Sequence, residues 1–133
     1  MPHGATDLLT KQVVAAVIKV HSELGPGFHE KAYSNAMAIE MRKQGIAFER
    51  EKEIRVSYDG EEIDRHFLDH FVDGRLALEL KTVEELTGDH YAQIRSHMKA
   101  AECPDGLRVN FAKAKADLRG VGVSVAPKTK RRG

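Results

Sequence analysis

The stretch Asp69-His70-Phe71-Val72-Asp73-Gly74-Arg75-Leu76-Ala77-Leu78-Glu79-Leu80-Lys81 constrains this chain more than any other. It reads as two short apolar strands joined by a turn at Asp73-Gly74. Side chains alternate across a strand, so Leu76, Leu78 and Leu80 go one way and Ala77, Glu79 and Lys81 the other. A carboxylate and an amine then stand side by side on an otherwise apolar strand. Buried charges are costly unless they are paired or bind a metal. The strand therefore either turns a sheet face to water or carries an active site, and an active site is expected.

Register decides which acids meet. A two-residue turn at Asp73-Gly74 sets Asp69 opposite Leu78, on the wrong face. A three-residue loop, Asp73-Gly74-Arg75, sets Asp69 opposite Glu79, and directly opposed residues share a face. The sequence does not choose between them. The three-residue loop is the expected register, because it gathers Asp69, Glu79 and Lys81.

The flanking segments supply a scaffold. Residues 7–24 read as a helix with a stripe of Leu9, Val13, Ala16, Val17, Val20 and Leu24, Thr6 as its N-cap, and Gly25-Pro26-Gly27 as its end. A second helix spans 28–44, with Tyr33, Met37 and Met41 inward. Glu30 falls on that same stripe. It is either a first-turn acid, favoured by the helix dipole and still wetted, or a carboxylate aimed at the site. Position alone leaves both open. Strands at 46–58, 62–72 and 75–82 form an antiparallel meander, and the charged run Glu49–Glu53 is expected to bulge or lie at an edge.

From Thr87 or Asp89 to Cys103 the pattern is helical again. His90, Ile94, His97, Met98 and Ala101 share a side, with Gln93 on its polar edge. Short strands follow at 107–111 and 118–125. A single domain is expected over 1–126, then a basic flexible tail at 127–133.

Net charge is +1, so no global basic field draws the chain to nucleic acid and none forbids it. The one cysteine, Cys103, excludes an internal disulfide. With no apolar run near the ~20 residues that span a bilayer, a cytoplasmic protein is expected, without membrane contact.

Asp69 and Glu79 are hard oxygen donors that suit Mg²⁺. Lys81 stands ready for phosphoryl charge. Glu30 offers a third carboxylate, and Gln93 reaches in from the other helix. By spacing alone, a solvated ladder of ion pairs explains Asp69, Glu79 and Lys81 as well. His90 and His97 read as a polar helix edge, and His29, His66 and His70 show no ligand spacing. Tyr33 reads as core, with its hydroxyl bonded near the site.

The ordered motifs alter those weights. Gly27-x-x-Glu30-x-x-Tyr33, Asp69, Glu79-Leu80-Lys81, His90-x-x-Gln93 and Gly106-Leu107-Arg108-Val109-Asn110-Phe111 together resemble the GxxExxY protein family of the PD-(D/E)XK nuclease superfamily. The resemblance runs from about Leu9 to Val125. It implies an α/β fold, a three-layer α/β/α restriction-endonuclease-like core with a mixed central sheet. It further implies Asp69 and Glu79 as metal ligands, Lys81 as the catalytic lysine, Glu30 as the acid of the first core helix, and Gln93 as the glutamine of a Q-x-x-x-Y motif. Two departures stand out: His97 replaces the tyrosine of that motif, and Ala112 follows Asn110-Phe111 where relatives have glycine.

The implied activity is Mg- or Mn-dependent hydrolysis of nucleic acid, DNA ahead of RNA. The alternative is a non-catalytic module of the same fold that binds nucleic acid or protein. Its support is the small size, the sparse basic surface and the lack of an aromatic stacking platform. A homodimer or protein partner is compatible with a domain this small.

Overall fold

A computed structural model describes residues 2–125, with side chains from Leu8 onward. The basic tail expected at 127–133 lies outside the described residues. The elements are α1 (Pro2–Leu24), α2 (Glu30–Lys43), β1 (Phe48–Tyr58), β2 (Glu61–Val72), β3 (Leu76–Lys81), α3 (Gly88–Ala100), β4 (Asp105–Asn110) and β5 (Asp117–Gly122). Their order is the one the periodicities predict. Helix α1 starts ahead of Thr6, which lies within it rather than at its cap.

The strands form one sheet in the order β1-β2-β3-β4-β5. All neighbours are antiparallel except β3 and β4. That parallel pair requires a crossover, which α3 supplies. Helices cover both faces. On one, Val13, Val17, Tyr33, Met37 and Met41 of α1 and α2 pack against Leu76, Leu78, Leu80, Val109 and Phe111. On the other, Ile94 and Met98 of α3 pack against Leu68, Ala77 and Val121. The alternation expected in β3 therefore holds, and the result is a three-layer α/β/α fold.

Helix α3 comes down onto a pair of small residues. Ala77 and Gly106 are register partners on β3 and β4. A Cβ added at Gly106 would meet Met98 Sδ at 2.5 Å. The missing side chain lets the helix sit directly on the strands.

Strands β2 and β3 pair as Val72 with Leu76, Phe71 with Ala77 and His70 with Leu78. This is the register of the three-residue loop, closed by Arg75 N–H on Val72 O and with Asp73 and Gly74 both at positive φ. The ladder stops at His70. Just beyond, β2 loses its alternation: Leu68 packs beneath α3, while His70, two residues on, meets Ser34 of α2 at 3.3 Å. Across from this slip, Glu51 of β1 takes φ +51 and has no register partner between Arg50–His70 and Lys52–Leu68. The charged run Glu49–Glu53 lies on an edge strand, as expected, but the register holds across it; the shift in the β1–β2 ladder falls between Val56 and Ser57, outside the run.

Candidate active site

The end of β3 is where the expected residues meet. Four consecutive residues, Glu79 to Thr82, each engage a side chain from elsewhere. Glu79 Oε2 lies 2.6 Å from His97 Nδ1 of α3. Leu80 N–H donates to Asp69 Oδ2 of β2 at 2.8 Å. Lys81 Nζ donates to Gln93 Oε1 of α3 at 2.7 Å. Thr82 N–H donates to Glu30 Oε2 of α2 at 3.3 Å.

Asp69 occupies the fork between β2 and β3. Where the ladder has ended, Leu80 N–H takes the Asp69 carboxylate as its partner in place of a strand carbonyl. Buried backbone donors need such a partner. The position leaves the acid half-buried. Burial pushes its pKa up from 3.8 to about 6; the Leu80 N–H opposes this, while the charges of Glu79 and Glu30 add to it.

Glu79 is only 4% exposed, so it is no member of a solvated ladder. Its carboxylate is instead paired with His97, which is also buried. Reading the sequence for spacing alone left His97 as a polar helix edge. A signal was present, however: Gln93 and His97 are four apart on a helix, and Lys81 and Glu79 two apart on a strand. Four helical residues rise ~6 Å and two strand residues ~6.6 Å, so the two pairs match in spacing and face each other.

Glu30 corrects one expectation. It is exposed and opens α2, and does not share the buried stripe of Tyr33, Met37 and Met41. It reaches the site from the helix start through Thr82. Tyr33 corrects another. Its hydroxyl donates to Gly25 O at 2.5 Å and accepts Phe28 N–H at 3.3 Å, so it fixes the Gly25–Phe28 turn rather than the acids. Its ring stacks on Phe111 with centroids 4.3 Å apart. Within that turn Gly27 holds φ +116, which L side chains rarely adopt. His90 caps α3, its Nδ1 accepting Thr87 N–H at 3.0 Å. Asn110, fully buried, ties down the chain after β3: its Oδ1 accepts Val83 N–H at 3.1 Å and its Nδ2 donates to Val83 O at 2.7 Å.

A cleft of about 200 Å³ opens beside these residues, lined by Glu30, Lys31, Ser34, Arg50, Asp69 and Leu80 among others. Among the described residues no three His, Cys, Asp or Glu side chains stand together as a ready-made cation cage. Mg²⁺ needs less, because it keeps several waters and uses one or two carboxylates. Asp69 Oδ1 and Glu79 Oε1 accept no hydrogen bond among the described residues. Burial first, and the charges of Glu79 and Glu30 after it, hold the Asp69 carboxyl above its ordinary range, and a divalent cation beside it would favour the ionised form. The donor set therefore fits a hard, oxygen-seeking ion.

The family model of the PD-(D/E)XK nuclease superfamily matches residues 7–121. No curated protein and no solved structure matches the chain.

Proposed function

Because the chain belongs to the PD-(D/E)XK nuclease superfamily, whose nucleases generally use divalent metals, we propose that it is a Mg- or Mn-dependent phosphodiesterase acting on nucleic acid, DNA ahead of RNA. One observation carries the reading: Glu79, Leu80, Lys81 and Thr82 draw His97, Asp69, Gln93 and Glu30 to the end of a single strand.

Asp69 and Glu79, with Glu30 at the rim, hold the metal. The ion supplies charge neutralisation and Lewis acidity for attack at phosphorus. Lys81 places its ammonium where charge develops on the phosphoryl oxygens, and Gln93 fixes that ammonium at 2.7 Å. His97 holds one oxygen of Glu79 and so aims the other. A half-buried carboxyl gathered with Glu79 and Lys81 at one strand end, its pKa pushed up to about 6 chiefly by burial, is the kind of group that functional sites concentrate. That favours catalysis over the binding-module reading. The finer likeness to the GxxExxY proteins is supported by Gly27 and Tyr33, which shape the turn ahead of α2, and by Glu30, which opens that helix and reaches Thr82. Cys103, buried and free, suits a reducing, cytoplasmic setting. None of the described helices is long and apolar enough to cross a membrane.

The test is cleavage of labelled DNA and RNA with Mg²⁺ or Mn²⁺. Lys81→Ala is expected to lower the rate by about a hundredfold or more, with folding retained by circular dichroism. Full activity in the presence of a chelator, or in Lys81→Ala, overturns the reading.

A further inference from the structure

The cleft beside Asp69 has a wall the acids do not explain. Lys31 and Ser34 of α2 and Arg50 of β1 line it, together with the carboxylates of Glu30, Glu51 and Asp69 and with Leu80. Arg50 Nη2 donates to Ser34 Oγ at 2.9 Å and to Asn35 Oδ1 at 2.6 Å, both neutral acceptors. Ser34 is itself held by His70 Nε2 at 3.3 Å, and His70 is fully buried. The guanidinium is thus anchored to the interior at the residue next to Asp69.

What it lacks is a counter-charge. Among the described residues neither Arg50 nor Lys31 has a carboxylate at ion-pair distance. The other arginines of the same two strands do: Arg55 pairs with Glu53 and Glu62, and so does Arg65. Carboxylates are plentiful on this hairpin, so the two unpaired cations at the cleft stand apart from the local pattern. Guanidinium carries five donors in a planar fork suited to phosphate. Ser34 adds a hydroxyl. Pinning β1 to α2 accounts for the Ser34 and Asn35 contacts of Arg50, but not for Lys31 or for the cavity between them.

We propose that Lys31, Ser34 and Arg50 form a phosphate subsite that grips the nucleic-acid backbone at a phosphodiester adjacent to the one cleaved. The subsite deepens the nuclease reading and rests on it for the identity of the polymer. It contacts phosphate alone and therefore positions the strand without reading sequence.

The experiment is fluorescence anisotropy with three labelled probes of one sequence: single-stranded DNA, its duplex, and the matching single-stranded RNA. Ca²⁺, another hard oxygen-seeking cation, replaces Mg²⁺. Arg50→Gln is expected to weaken binding of the preferred probe about tenfold, with Lys31→Gln weaker by less. Each is expected to lower the slope of log affinity against log salt by about 0.7–0.9, the signature of one lost phosphate contact. Arg55→Gln, at an already neutralised site, is expected to change neither. The probe bound tightest identifies DNA or RNA as the source of the phosphate.

Wild-type affinity and salt slope in both Arg50→Gln and Lys31→Gln overturn the subsite, as does an affinity loss with an unchanged slope. The two proposals fail separately. Loss of cleavage in Lys81→Ala with normal binding by both Arg50→Gln and Lys31→Gln sinks the subsite and leaves the nuclease. A wild-type protein that never cuts, yet binds through Arg50 with the expected slope, does the reverse.

Discussion

His97 Nδ1 lies 2.6 Å from Glu79 Oε2, and both side chains are buried between α3 and the sheet. The contact joins α3 to the strand that carries Lys81. Removing one partner of a buried pair leaves the other uncompensated, at a cost of about 3 kcal/mol or more. His97→Leu is therefore expected to lower the unfolding free energy by ~3 kcal/mol. His97→Asn, whose amide nitrogen falls near the position of Nδ1, is expected to lose less than half of that. Urea denaturation measures both. Equal stability of His97→Leu and wild type would remove the pair from the account of the site.

Asp69 makes a prediction about pH. Its folded-state pKa stands at about 6 against 3.8, so the folded protein binds this proton more tightly than the unfolded chain does. The resulting stabilisation is complete below 3.8, is lost as pH rises towards 6, and stays lost above. In metal-free buffer at neutral pH, Asp69→Asn is expected to be more stable than wild type by about 1–3 kcal/mol. The amide oxygen still accepts Leu80 N–H. The gap is expected to close towards pH 4, while metal-dependent cleavage is absent throughout. A gap independent of pH would count against a strained carboxyl.

The Gly25–Phe28 turn should be fragile for two separable reasons. Gly27→Ala meets no atom within 4 Å of its new Cβ, so its cost is backbone strain at φ +116, about 1–3 kcal/mol. Tyr33→Phe leaves Gly25 O and Phe28 N–H without the hydroxyl, at about 1–2 kcal/mol. Both act on one turn, so the double variant should fall short of the sum. Thermal or chemical melts of the four proteins decide this; strict additivity would mean that the two residues serve different ends.

Gly106→Ala tests the seat of α3. Its Cβ would sit 2.5 Å from Met98 Sδ, so the thioether must move. Overpacking of this kind costs about 1–3 kcal/mol. Adding Met98→Ala to Gly106→Ala is expected to cost less than Met98→Ala does alone in the wild type. An equal cost in both backgrounds would indicate that helix and strand are not in contact there.

Much of this arrangement was legible in the sequence. The leucines of β3 alternate with Ala77 and Glu79, and that alternation fixed the faces correctly. The loop register followed from asking which spacing lets the acids meet. What periodicity missed lies where periodicity breaks. Leu68 and His70 face opposite sides because the backbone slips between them, opposite a positive φ at Glu51, and neither residue type announces that conformation. Glu30 looked buried because helical spacing ignores where the helix begins. His97 was passed over because its partner is 18 positions away and becomes visible only once α3 and β3 are laid side by side.

The fork between β2 and β3 has a further consequence. Had the two strands stayed zipped past His70, Leu80 would have bonded to a carbonyl, and Asp69 would have been one more outward rung of a flat ladder. Asp69 holds its place in the fork because the β2–β3 ladder comes unfastened at His70. Closing that seam would give a tighter sheet at the cost of the one position from which this carboxylate meets the end of β3.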